Sequence, residues 1–148
     1  MFIDSHAHID GPEYDADRED VIQRALEAGV RAILNVGTGD PNKGNLERAV
    51  ALADAHRGIY AAIGIHPHDA RLYTDEVENR IRKLLAEGPR VVAWGEIGLD
   101  YHYDNSPREV QREVFRRQLS AAMDCNLPVI IHTREADEDT IEILQQVL

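Results

Sequence analysis

The sequence predicts an α/β fold built on a parallel sheet, and two observations carry that reading. Strand-like apolar runs alternate with helix-like amphipathic stretches along all 148 residues, with no linker or low-complexity segment between them. Metal-type side chains also stand at the ends of three of the apolar runs. His6 and His8 follow Phe2-Ile3, Glu96 follows Val91-Val92-Ala93-Trp94, and His132 follows Val129-Ile130-Ile131. A parallel sheet presents the carboxyl ends of its strands on one side, where ligand and catalytic residues gather. Residues far apart in sequence thereby become neighbours.

The first strand is read over Phe2 to His6. Alternation along it sends His6 and His8 to one face while Ala7 points away, so the two imidazoles can reach one ion. Val21, Ile22, Ala25 and Leu26 then stripe a helix that Gly29 ends. Ala32 to Val36 is the second strand, followed by a helix striped by Leu46, Ala49, Val50 and Ala53, and Ile59 to Ile65 is the third strand. Val77, Ile81, Leu84 and Leu85 mark the third helix, stopped by Gly88-Pro89, and Val91 to Glu96 is the fourth strand. Ser106-Pro107-Arg108-Glu109 reads as a helix cap, a proline at the first helical position and a capping-box Glu, opening a helix through Val114, Phe115 and Leu119. Pro128 to His132 is the fifth strand, and Ile141, Leu144 and Leu148 stripe the last helix. Five β-α units result.

Composition narrows the class. With 43% hydrophobic and 29% charged residues the chain has the balance of one globular domain over 1–148. Cys125 is the single cysteine, so an internal disulfide is excluded and a packing role is expected for it. No apolar run approaches the roughly 18 residues of a membrane helix, and Met1-Phe2-Ile3-Asp4 does not open like a secretory signal. A cytoplasmic protein without a membrane partner is expected. The net charge of −11 argues against a nucleic-acid binder that relies on a basic surface. A phosphate substrate would need local positive charge, which bound divalent ions supply.

Two architectures fit five β-α units. The length suits a complete doubly wound sheet of flavodoxin size, whereas a (β/α)₈ barrel typically needs about 250 residues. The site chemistry favours the barrel, because ligands on strands one, four and five converge around a closing sheet and spread apart on an open one.

The runs FIDSHAHID, GIHPHDA, GEIGLDYHYD and NLPVIIHTREADEDTIEIL resemble the signature segments of the TatD family of metal-dependent deoxyribonucleases, in the family's order and at about its spacing. The resemblance implies a TIM-type (β/α)₈ barrel, of which this chain carries about five units as its amino-terminal portion. It also implies one or two divalent metal ions, a DNA or other phosphodiester substrate, and 3′→5′ exonuclease activity. His6, His8, Glu96 and His132 are the implied metal ligands, with Glu96 bridging two ions. A later His ligand and a late catalytic Asp of the family have no match in this sequence. The 148-residue chain by itself is therefore expected to bind metal weakly, to hydrolyse little DNA and to self-associate through open sheet edges.

The remaining polar residues take supporting roles. His66-Pro67-His68 reads as a pair of phosphate or ligand-orienting contacts, with ligation as the alternative, because Pro67 disturbs simple strand alternation. Arg134 is a candidate phosphate clamp or a surface ion pair, and Tyr101 and Tyr103 are candidates for stacking on bases. Asp4 and Asp10 either orient the first histidine pair or serve the loop. Arg108, Arg112 and Arg116 read as a solvated face paired with Glu109 and Glu113, and Gly37-Thr38-Gly39 lacks the third glycine of a dinucleotide loop. Imidazole and carboxylate ligands suit Zn²⁺, Mn²⁺ or Fe²⁺ and, with waters, Mg²⁺. A metal-dependent ester, lactone or amide hydrolase on the same barrel, and a non-catalytic α/β binding module, are the competing readings.

Overall fold

Five parallel strands stand side by side in chain order, β1 (Phe2–Ala7), β2 (Val30–Gly37), β3 (Ile59–Ile63), β4 (Val91–Asp100) and β5 (Val129–Arg134). They alternate with helices α1 (Arg18–Glu27), α2 (Asn45–Ala55), α3 (Asp75–Glu87), α4 (Arg108–Asp124) and α5 (Asp137–Val147). The computed structural model describes residues 1–147; Leu148, placed by the sequence on the last apolar stripe, lies outside the described residues. A doubly wound sheet reverses its strand order at a switch point, and the order β1-β2-β3-β4-β5 never reverses. The sheet winds one way and curls into roughly half of a TIM-type barrel.

The two faces of this sheet carry different cores. On the helix side a large cluster holds Trp94, Phe115, Leu46, Ile63, Ile81 and Leu119, each at most 1% exposed. The concave side holds a small cluster of Val36, Ala62 and Ala93, with Leu34 and Ile130 packed on it. At the edges the burial weakens, and on β1 Phe2 and Ile3 are 67% and 70% exposed. No helix among the described residues is long and apolar enough to cross a membrane.

Several local features depart from the periodic reading. β4 continues past Glu96 to Asp100, while β3 stops at Ile63 because Pro67 opens a 3-10 segment over Pro67–Leu72. Ser106 does not cap α4: Pro107 takes the cap position without a side-chain cap bond. The buried Ser106 hydroxyl is committed elsewhere, donating to the His68 carbonyl at 2.9 Å and accepting the Arg71 amide at 3.3 Å. Arg108 and Arg112 pair with Asp104, Glu109 and Asp139, and Arg116 reaches Gln146, so among the described residues these arginines form no pair with Glu113.

Two buried glutamines on α4 lock the strand ends to the helix layer. Gln118 accepts the Ile65 amide at 2.8 Å and the Trp94 indole N–H at 3.1 Å, and donates to the Ile65 carbonyl at 2.9 Å. Gln111 does the same for Asp100, accepting its amide at 2.8 Å and donating to its carbonyl at 3.0 Å. These ties fix the backbone beside His66 and at the end of β4, where backbone groups leaving the ladder need partners.

Candidate functional site

The carboxyl ends of β1, β3, β4 and β5 bring His6, His8, His66, His68, Glu96, Asp100 and His132 into one cluster. Strict alternation from Trp94, which is buried on the helix side, would put Glu96 on that side as well. A bulge prevents it. Gly95 pairs with Ile130 and Ile97 with Ile131, leaving Glu96 unpaired and turned to the concave face together with Gly98 and Asp100. A second irregularity on β1, between Asp4 and Ala7, turns His6 inward while Ala7 packs on the helix side. Gly98 meets a separate demand: its φ of +141° suits glycine, and a Cβ there would stand 1.9 Å from the His132 carbonyl oxygen. Close approach of β4 and β5 at His132 requires that residue.

The donor atoms are spaced as around an ion. His6 Nε2 lies 3.2 Å from His8 Nε2 and 3.5 Å from Glu96 Oε2. Across the same carboxylate, Glu96 Oε1 lies 3.2 Å from His132 Nδ1. Ligands about 2.1 Å from one ion at tetrahedral or octahedral angles stand about 3.0–3.4 Å apart. Among the described residues two groups bring their donor atoms within 4.8 Å of one another, His6 with His8 and Glu96, and His66 with Glu96 and His132, and Glu96 belongs to both. The imidazole and carboxylate donors fit a divalent ion of the zinc, manganese or magnesium type.

The ligand-type side chains are themselves held. His8 Nδ1 donates to the Val36 carbonyl at 2.7 Å, which holds the ring with Nε2 facing His6. His132 Nε2 meets Asp100 Oδ2 at 2.9 Å, and His68 Nε2 meets the same oxygen at 3.0 Å. Burial pushes the Asp100 carboxyl up, but the hydrogen bonds from the Tyr103 amide, His132 and His68 outweigh it and bring it down to about 2. His66 is lowered to about 3, by burial first and then by His132 and His68 beside it, so it is a neutral donor at ordinary pH.

The flanking acids and aromatic residues separate. Asp4 accepts the His6 amide at 3.1 Å and so holds backbone rather than an imidazole, and Asp10 is buried with its carbonyl facing Arg18. Tyr101 turns its hydroxyl to Asp139, and Arg108 stands 4.4 Å over its ring. Burial and Asp139 raise its hydroxyl to about 12. Tyr103 is the ring that reaches the cluster, 5.4 Å from that of His68, with Arg134 placed 4.8 Å over it. Asp100, Gln111 and Gln118 escaped the sequence reading. Asp100 had a signal, since it follows Glu96 by four residues on the same strand, and the glutamines sit seven apart on the apolar stripe of α4.

Residues 3–147 match the family model described as TatD related DNase. The chain belongs to the TatD family. It is 46% identical over 146 residues to the uncharacterized metal-dependent hydrolase YabD of Bacillus subtilis (strain 168), covering 99% of this chain and 56% of that protein. It is 38% identical over 141 residues to the 3'-5' ssDNA/RNA exonuclease TatD of Enterobacter lignolyticus (strain SCF1), covering 95% and 53%. The crystal structure of YjjV, a TatD homolog from Escherichia coli K12, superposes with a TM-score of 0.88 at 36% identity, over 98% of this chain and 55% of that one. The chain thus spans about half the length of the TatD relatives it matches.

Proposed function

We propose that this chain is the metal-holding, amino-terminal part of a divalent-metal-dependent phosphodiesterase acting as a 3′→5′ exonuclease on single-stranded nucleic acid. One observation carries the reading: the two oxygens of Glu96 face two different histidine groups, at 3.5 Å to His6 and 3.2 Å to His132. A carboxylate shared in this way suits a pair of ions. Bound divalent ions polarise a phosphate and lower the pKa of water.

The chain's own residues do the positioning. We assign His6, His8, Glu96 and His132 as ligands and add His66, which shares a donor group with Glu96 and His132. Val36 and Asp100 fix the ring orientations of His8 and His132. His68 and Arg134, at the rim of the cluster, are assigned to the phosphate, where a planar guanidinium can offer two parallel N–H groups. Acceptance of the proton from the attacking water is assigned to a carboxylate beyond β5. Exonuclease relatives support the substrate class, and a cytoplasmic location is proposed with it. Self-association of the 148-residue chain is also proposed, supported by the exposure of Phe2 and Ile3 on the edge strand β1.

The test uses metal titration of the chain, and nuclease assays of the chain joined to the carboxyl-terminal half of a family member. Glu96→Gln should lose metal occupancy and cut shortening of a 5′-labelled single strand at least about 10²-fold. Unchanged metal content and rate would remove Glu96 from the site and the reading with it.

A further inference from the structure

The loop after β4 carries an aromatic ring that the metal and phosphate assignments leave unused. We propose that Tyr103, backed by Arg134, is the stacking platform for the nucleobase at the scissile end of the strand. This rests on the nuclease reading above and adds the residue that holds the base.

A loop tyrosine by itself is ordinary; this one is fixed against the site. Asp100 is fully buried, and its Oδ1 accepts the amides of His102 at 3.1 Å and Tyr103 at 2.9 Å. Its Oδ2 meets His132 and His68. One carboxylate therefore sets the position of Tyr103 relative to a ligand-type histidine. His102 also pairs with Glu135 at 2.7 Å, tying this loop to the end of β5 that carries Arg134.

The ring is both placed and accessible. It stands edge-on to His68 at 5.4 Å and to His102 at 4.7 Å, with Arg134 at 4.8 Å over it, yet Tyr103 remains 55% exposed. Tyr101 suits the role less, because it is half-buried, Asp139 holds its hydroxyl, and the ring that meets His68 is that of Tyr103. A chain of net charge −11 draws little affinity for a polyanion from its general surface. Stacking does not depend on that charge and tolerates any base, as an exonuclease must. The guanidinium of Arg134 extends the platform as a second flat, cationic surface.

The test places 2-aminopurine, whose fluorescence is quenched by stacking, at the 3′ end of a phosphorothioate-linked single strand. Deoxy and ribo versions are titrated with the chain in Mg²⁺. Wild type and Tyr103→Phe should quench it, whereas Tyr103→Leu should lose most of the quench and bind about tenfold more weakly with unchanged circular dichroism and metal content. The probe placed five nucleotides from the 3′ end should show no dependence on Tyr103. Equal quenching by Tyr103→Leu, or equal dependence at both positions, overturns the platform and leaves the nuclease reading standing. Failure of wild type to bind either strand overturns both.

Discussion

Replacing Gln118 by Met is expected to destabilise the protein by about 1–8 kcal/mol, although the two side chains have similar length. The substitution strips partners from three groups at once: the Ile65 amide, the Ile65 carbonyl and the Trp94 indole N–H. Ile65, Trp94 and Gln118 are each at most 1% exposed, so bulk water does not replace the lost bonds. A buried group left without a partner costs about 1–3 kcal/mol, which for three groups is about 3–9 kcal/mol. Burial of the methionine side chain returns about 1–2 kcal/mol, and the matched volume opens little cavity. The loss is large beside the 5–15 kcal/mol typical of whole domains. Urea unfolding followed by Trp94 fluorescence and by far-ultraviolet circular dichroism measures it, and coincident transitions license the two-state analysis. Gln146→Met, on the exposed side of α5, is the control and should stay within about 0.5 kcal/mol. A loss under about 1 kcal/mol for Gln118→Met would refute the claim that this side chain ties the end of β3 to α4.

Two further outcomes follow from other parts of the fold. Burial raises the Glu78 carboxyl, but hydrogen bonds from Arg117, Tyr73 and Arg82 outweigh it and hold the group below its ordinary 4.5. Its stabilisation is complete above that value and is lost as pH falls through the lowered pKa, so Glu78→Gln should flatten the fall in urea midpoint between pH 5 and 3; an equally steep fall would assign the acid sensitivity elsewhere. Ile3→Lys puts a charge on the exposed edge strand and should shift light scattering toward monomer, whereas an unchanged oligomer would locate association away from β1.

Much of the architecture was legible in the sequence because each element carries its own period. The stripes on α1, α2, α3 and α4 and the apolar runs of the five strands predicted element order and type, and strand order then decided for the barrel. His6, His8, Glu96 and His132 were legible as a group because they end apolar runs. Periodicity fails where side chains bond to backbone. Ser106 looks like a cap in sequence, and only the nearness of His68 and Arg71 diverts its hydroxyl. Gln111 and Gln118 read as interruptions of an apolar stripe, yet their partners lie on strands brought near by the fold. Asp100 was hidden for the same reason, since its contacts with His68 and His132 each span 32 residues.

The bulge at Glu96 also constrains how the gene can change. Ahead of it Ala93 faces the concave side and Trp94 the helices; beyond it the even-numbered residues Glu96, Gly98 and Asp100 face inward, with Ile97 and Leu99 behind them. The strand is read in two phases joined at a single extra residue. Pairing the same residues without the bulge would exchange the faces beyond it, turning Glu96 and Asp100 toward α4 and Ile97 and Leu99 to the mouth, while a deletion that restored a plain ladder would remove the extra position that Glu96 occupies. Most loops of a β-α protein tolerate length changes, but this interior strand does not. Its residue count is as much a part of the candidate metal site as the identity of Glu96.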